Sequence, residues 1–138
     1  MTAGRAPTVF VLSYVDDERE LYGSALWAAG FFVTAFVDPL RALEQAFLHP
    51  PDAFLARLMQ PGQPIDSIEL TRRLRSDTRT HRVGIVILTS HVDPASRTAA
   101  LAAGCDEYLL LPVLPCDVVD AVKRLTTRSG PVPVRSTA

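Results

Sequence analysis

The chain has 138 residues, of which 48% are hydrophobic, so it fits one domain with a core of ordinary size. Its 14 Lys and Arg residues face 15 Asp and Glu residues, which leaves no basic field for direct binding of nucleic acid or an anionic membrane. No apolar run approaches the roughly 20 residues of a membrane span, and we therefore predict a soluble cytoplasmic protein.

The first strand and helix are predicted between residues 8 and 30. The continuous apolar run TVFVLSY, residues 8–14, is typical of a buried strand. An acidic loop follows, and residues 17–29 have the spacing of a helix that ends before Gly30. The predicted apolar face of this helix is formed by Leu21, Ala25 and Ala29.

The second unit repeats this pattern. Residues 31–36 predict a strand, and Asp38 followed by Pro39 is typical of a capped helix start. The helix is predicted to end near His49, before two consecutive prolines. Its predicted buried stripe is formed by Leu40, Leu43 and Phe47.

Three further units follow after residue 51. Strands are predicted at residues 52–58, 83–88 and 107–111. Asp66 with Glu69 resembles a capping box for a helix to about Arg75, and Asp93 with Pro94 predicts a helix that ends at Gly104. A last helix follows Pro115. Its predicted apolar stripe is formed by Val118, Val122 and Leu125.

Five alternating strands and helices predict an α/β fold, a doubly wound (βα)5 sandwich around a parallel sheet. We predict residues 1–7 as an N-terminal arm, 8–127 as the domain and 128–138 as a disordered tail. Such sheets bind ligands in a crevice beyond the carboxyl ends of their strands, where strand order reverses. The residues at those ends are Ser13, Tyr14, Arg57, Thr89 and Leu111.

Common ligand and catalytic motifs are missing from the sequence. There is no GxGxxG, GxxxxGK[ST], GxSxG or HExxH, and the three histidines are scattered over separate loops. Cys105 and Cys116 lie outside any metal-binding spacing and are predicted to be reduced thiols. We therefore predict neither a cofactor nor a bound metal.

Four segments carry a family resemblance. TVFVLSY, DAFLARLMQPG, VGIVILTS and ALAAGCDEYLLLP are similar to stretches of the response-regulator receiver domain of two-component signalling, over about residues 8–125. The resemblance implies a flavodoxin-like receiver fold and a place in phosphorelay signal transduction. In such domains an aspartate at the end of the third strand is phosphorylated, an acidic pair helps to hold Mg²⁺, and a lysine contacts the phosphoryl oxygens.

The residues for this chemistry are changed in the present chain. By the resemblance, the acidic pair falls on Ser13 and Tyr14, the phosphoacceptor on Arg57 and the lysine on Leu111. No acyl phosphate can form on a guanidinium group, and a cation at this point would repel Mg²⁺, so Mg²⁺ is not expected. A shifted register would place Asp16-Asp17 in the acidic-pair position, but Arg57 and Leu111 would remain.

Other features of the family are kept. The resemblance gives Thr89 as the hydroxyl residue that ends the fourth strand, Tyr108 as the aromatic switch position and Pro112 as the proline after the lysine position, where a cis peptide is common. In the family, the side formed by the fourth helix, fifth strand and last helix is the usual partner or dimer surface. The apolar run LLLPVLP makes Val113 and Leu114 the interface candidates here.

A buried arginine at a strand end needs a partner. We predict that Arg57 pairs with Asp16 or Asp17 on the neighbouring loop and also donates to Thr89. The alternatives are capture of an anion by Arg57, and a plain helix-start role for the acidic residues, which favour the dipole.

These observations lead to a functional hypothesis. The chain is expected to be a pseudo-receiver without enzymatic activity, which binds a protein partner or a second copy of itself independently of phosphorylation. The alternatives are a sensor of a small ligand or anion in the crevice around Arg57, and a receiver phosphorylated at a non-standard acidic residue such as Asp16 or Asp17.

Overall fold

A computed structural model describes residues 6–128, in which five strands and five helices alternate. The strands β1 to β5 span Thr8–Leu12, Phe32–Phe36, Ala53–Arg57, Gly84–Thr89 and Glu107–Leu110. The helices α1 to α5 span Asp16–Ala28, Pro39–Leu48, Ser67–Arg75, Pro94–Ala103 and Pro115–Arg128. Most of the predicted arm and tail, residues 1–5 and 129–138, lies outside the described part of the chain.

The strands form one parallel sheet in the order β2-β1-β3-β4-β5. This order belongs to the flavodoxin-like class, and it confirms the predicted (βα)5 sandwich. The strand β2 is added on one side of β1, and β3 to β5 are added on the other side. The strand order therefore reverses between β1 and β3, and the crevice opens at the carboxyl ends of these two strands. No helix described between residues 6 and 128 is long and apolar enough to cross a membrane.

Two apolar layers cover the faces of the sheet. Along β1, Phe10 and Leu12 point into one layer, while Val9 and Val11 point into the other. The first layer packs under α2, α3 and α4, and the second packs under α1 and α5. Because both faces are buried, the central strands are continuous apolar runs without polar alternation.

Aspartate caps fix three of the helix starts. The side chain of Asp38 accepts a hydrogen bond from the backbone N–H of Leu40 at 2.9 Å. Asp66 accepts an equivalent bond from the backbone N–H of Glu69, and Asp93 accepts one from that of Ser96, each at 2.9 Å. These bonds confirm the three helix starts predicted from sequence.

The predicted packing faces of α1 and α2 are partly wrong. Leu21 is 49% exposed, and α1 instead packs through Tyr22 and Leu26, one residue further along the helix. On α2, Leu40 is 39% exposed, whereas Leu43 is buried as predicted. Both helices carry apolar side chains on more than one face, so spacing alone does not select the face that meets the sheet.

A close contact between β4 and α5 occurs at Gly84. A Cβ atom added at Gly84 would lie 2.7 Å from the Cβ of Leu125. We therefore expect Gly84→Ala to lower the free energy of unfolding by about 1–3 kcal/mol through overpacking, measured by urea denaturation. Gly23→Ala is the control, because its added Cβ would meet only Val33 Cγ1 at 3.8 Å. Equal stability of the two variants would contradict this packing.

Candidate functional site

The crevice is formed by the ends of β1 and β3. Leu12 of β1 lies in register with Ala56 of β3, so the next residues, Ser13 and Arg57, are neighbours at the carboxyl edge of the sheet. This is the edge at which doubly wound sheets bind their ligands. The chemistry of the crevice therefore depends on Ser13, Arg57 and the loop that leads into α1.

An ion pair occupies the crevice. Arg57 Nη1 donates to Glu18 Oε2, and the two side chains are only 16% and 15% exposed. The second carboxylate oxygen of Glu18 accepts a hydrogen bond from Ser13 Oγ at 2.9 Å. Glu18 thus connects the ends of β1 and β3 through its two oxygens. Charge-assisted hydrogen bonds of this kind are stronger than neutral ones.

The loop between β1 and α1 is held by its own hydrogen bonds. Ser13 is 2% exposed, and its Oγ accepts from the backbone N–H of Val15 at 3.0 Å. Arg19 Nη1 donates to the Ser13 carbonyl at 2.8 Å, while Nη2 of the same side chain contacts Asp16. These bonds fix the turn that leads into α1, the helix on which Glu18 lies.

The structure pairs Arg57 with a carboxylate, as predicted, but the predicted choice of Asp16 or Asp17 is wrong. The helix begins at Asp16, so both aspartates stand in its exposed first turn, and the Asp16 side chain is 88% exposed beside Arg19. Glu18 is rotated by a further 100° about the helix axis and turns toward the sheet. Its longer side chain then reaches Arg57.

The predicted donation from Arg57 to Thr89 is also absent among the described hydrogen bonds. Thr89 Oγ1 instead accepts from the backbone N–H of His91 at 2.9 Å, which fixes the loop after β4. Arg57 lies under Tyr14, with its Cζ 5.3 Å from the ring centroid. A cation over an aromatic face is a favourable contact. The Tyr14 ring is therefore a second favourable contact of the guanidinium, beside Glu18.

Two buried polar side chains, which the sequence did not single out, hold the backbone of Arg57. Its carbonyl accepts from Gln60 Nε2 at 2.7 Å and from Ser67 Oγ at 2.6 Å. Gln60 is 4% exposed and Ser67 is fully buried. No local sequence signal marks them, because the contact depends on how the loop after β3 folds back. They fix the position from which the guanidinium extends.

The end of β5 contributes an apolar side chain. Leu111 packs against the layer under α1 and α5, and its backbone N–H donates to the Thr89 carbonyl at 2.8 Å. The Leu111–Pro112 peptide is cis. Val113 also packs against this layer, and its carbonyl accepts from the hydroxyl of Tyr22 at 2.8 Å. Burial and the negative charge of Glu18 raise the pKa of Tyr22 above its ordinary value.

Tyr108 is turned into the protein. It is 8% exposed, and the Cζ of Arg97 lies 6.0 Å from its ring centroid. Burial raises the pKa of its phenol. Leu114 differs from Tyr108 and Val113 because its side chain is 63% exposed. Of the interface candidates, Leu114 is therefore the one presented to solvent.

The residues of the crevice do not fit Mg²⁺. The carboxylate of Glu18, which lies in the crevice, is engaged by the Arg57 guanidinium and by Ser13. A magnesium site in a protein normally keeps one or two carboxylates for the ion, and the guanidinium would repel it. Within residues 6–128, no group of three or more His, Cys, Asp or Glu side chains is placed to hold a metal ion.

Response regulators are among the known proteins that are similar to this chain in sequence. The phosphate regulon regulatory protein PhoB of Pseudomonas aeruginosa is 32% identical over 120 residues, which cover 85% of this chain and 52% of PhoB. The regulatory protein CseB of Streptomyces avermitilis is 33% identical over 132 residues, or 91% of this chain and 54% of CseB. The chain therefore spans about half the length of the curated relatives it matches.

A solved structure shows the same fold. The receiver domain of a signal transduction histidine kinase from Syntrophus aciditrophicus superposes with a TM-score of 0.83 and 20% identity, covering 92% of this chain and 95% of that one. No protein-family model matches the chain. The sheet order, the crevice and the relatives together define a receiver domain. The chain belongs to the response-regulator receiver family of two-component signalling.

Proposed function

We propose that this receiver domain works in the cytoplasm as a protein-interaction module whose conformation does not depend on phosphorylation. The observation that carries the proposal is the Arg57–Glu18 ion pair, which fills the crevice where a receiver would hold its phosphoryl group. The guanidinium of Arg57 and the carboxylate of Glu18 therefore occupy the place that a bound metal ion and a phosphoryl group take in a phosphorylated receiver.

The chemistry of the crevice supports this role. Formation of an acyl phosphate on a receiver needs a carboxylate oxygen as the nucleophile and positive charge around the transferred oxygens. The end of β3 supplies a guanidinium group, on which no acyl phosphate can form, and the end of β5 supplies the apolar Leu111. Glu18, the carboxylate that contacts Arg57, is already engaged in an ion pair with its guanidinium. The site is therefore suited to holding a fixed conformation and unsuited to receiving phosphate.

A chemical test separates the two roles. The chain is incubated with acetyl phosphate and Mg²⁺, and its intact mass is then measured beside that of a receiver with the complete acidic set. We expect no added phosphoryl group on this chain under conditions that label the control. Stoichiometric labelling of any residue, including Asp16 or Asp17, would overturn the proposal.

The surface of α4, β5 and α5 is the proposed contact for a protein partner. Its exposed apolar side chains include Leu101, Leu110 and Leu114, which are 40%, 48% and 63% exposed. Apolar groups at this exposure lose contact with water when a partner covers them. The family resemblance points to the same side of the domain, and the fixed crevice would hold this surface in one arrangement.

A charge at Leu114 tests the surface. We expect Leu114→Asp to weaken partner binding at least tenfold, because a carboxylate would be buried without a counterion. The binding of an identified partner is measured by calorimetry. Leu21→Asp on α1 is the control, since Leu21 is 49% exposed on another face. Equal binding by the two variants would remove Leu114 from the contact.

A further inference from the structure

The strand β2 is an unprotected edge of the sheet. It occupies one end of the strand order, and its side chains are largely exposed, with Phe32 at 56%. Residues 30–37, GFFVTAFV, contain neither a charged residue nor a proline. Edge strands of monomeric proteins are usually blunted by charges, prolines or bulges, because a free edge recruits another strand. This edge has none of these devices.

The outer backbone groups of β2 are available for pairing. The N–H of Phe32 donates to the Pro7 carbonyl, and the carbonyl of Phe36 accepts from the N–H of Ser13. Phe32, Thr34 and Phe36, which alternate along the strand, therefore direct their backbone groups toward β1. Since alternate residues of a strand face opposite neighbours, Val33 and Ala35 direct theirs outward. Within residues 6–128, β1 is the strand that pairs with β2.

The sequence of β2 is complementary to itself. FVTAF reads almost the same in both directions about Thr34. When two copies are aligned antiparallel about a twofold axis at Thr34, Val33 of each faces Ala35 of the other, and each such pair exchanges two backbone hydrogen bonds. Phe32 then faces Phe36 of the second copy. The outward backbone groups of Val33 and Ala35 in both strands are satisfied in this register.

A groove beside the strand accommodates the facing ring. A cleft of about 490 Å³ lies between β2 and the end of α2, and its walls include Phe10, Phe36 and Leu48. Facing residues of an antiparallel pair share one side of the sheet, so Phe32 of the second copy lies on the side of this cleft. Leu48 is 61% exposed. Trp27, also 61% exposed, has its ring centroid 6.1 Å from that of Phe32 and extends the apolar edge.

We propose that two copies of this chain associate through their β2 edges, in antiparallel register about Thr34, and form one continuous sheet. We identify the partner strand as β2 of a second copy, because pairing β2 with itself in this register matches its outward hydrogen-bonding groups and places residues of similar size opposite each other. The surface of α4, β5 and α5 lies at the opposite edge of the sheet. The dimer therefore carries two copies of that surface, and this association does not depend on the proposed phosphorylation-independent role.

The test is the mass of the full chain in solution, measured by analytical ultracentrifugation over a range of concentrations. We expect a dimer for the wild-type chain. Thr34→Lys places two like charges opposite each other at the axis and should weaken the dimer at least tenfold. Ala35→Pro removes an outward N–H and leaves the bonds to β1 in place, so it should have a similar effect. Leu114→Asp is the control and should remain dimeric.

Hydrogen exchange on the wild-type chain provides a second measurement that needs no variant. The amides of Val33 and Ala35 should become protected as the concentration rises, because pairing with the second copy covers them. A wild-type chain that stays monomeric at the highest concentration would overturn the proposal. So would a dimer that survives both β2 substitutions, a dimer abolished by Leu114→Asp, or protection of these amides that is independent of concentration.

Discussion

Arg57→Asp is expected to lower the free energy of unfolding by about 3–5 kcal/mol. The substitution replaces a cation that is 16% exposed with a carboxylate, and this carboxylate would face Glu18, which is 15% exposed. It also removes the cation over the ring of Tyr14. The effect appears as a lower midpoint of urea denaturation at an unchanged slope. Although the variant has a carboxylate at the end of β3, we expect no labelling by acetyl phosphate, because Leu111 and the repulsion from Glu18 remain.

A double-mutant cycle separates the pair from simple loss of packing. Arg57→Met and Glu18→Gln each leave one charge of the pair without its counterion, and the cost of each is about 1–3 kcal/mol. The double variant should cost less than the sum of the two, because no unpaired charge is left. Additive losses would show that the two side chains do not interact. Arg57→Asp with wild-type stability would also contradict the buried pair.

Arg75→Ala is expected to be comparably destabilising, by about 3–5 kcal/mol, for a different reason. The Arg75 guanidinium donates to the carbonyls of Gly104 at 2.9 Å, His81 at 3.1 Å and Val83 at 2.6 Å, and it pairs with Asp106 at 2.9 Å. Its side chain is 22% exposed. It therefore joins the end of α3 to the loops before β4 and β5. Loss of this group leaves the partly buried carbonyls of Gly104 and Val83 without this donor.

Arg73→Ala is the matched control on the same helix. Arg73 pairs with Glu69 at 3.0 Å, but its side chain is 45% exposed. An exposed pair of this kind contributes about 0.2–1 kcal/mol. Thermal and urea denaturation should thus distinguish the two arginines clearly. If Arg75→Ala were as mild as Arg73→Ala, the contacts at the end of α3 would not contribute to stability as the structure indicates.

Much of the fold could be predicted from local sequence patterns. Apolar runs of strand length alternate with capped helices, and a parallel sheet covered on both faces is the arrangement that buries them. The face of α1 could not be predicted in this way. Leu21 and Tyr22 are both apolar enough to pack, and the contact that selects Tyr22 is its hydrogen bond to Val113, 91 residues away. Such a contact exists only after the sheet has formed.

The same distinction applies to the candidate site. Ser13 and Arg57 could be placed at the crevice because the ends of parallel strands meet at one edge. The identity of the carboxylate depended on the residue at which α1 begins, and a shift of one residue turns a different side chain toward the sheet. Arg75 was also missed, since three of its four partners are backbone carbonyls that no motif marks.

The most direct test of the central claim is an NMR titration of the wild-type chain with beryllofluoride and Mg²⁺, observed at the backbone amides and at the Arg57 guanidinium. Beryllofluoride mimics a bound phosphoryl group and needs a free carboxylate and a metal in the crevice. Because Glu18 is held by Arg57 and Ser13, we expect no saturable shifts at residues 13, 57 or 89. Saturable stoichiometric shifts at these residues would show that the crevice opens to phosphate chemistry, and they would contradict the account.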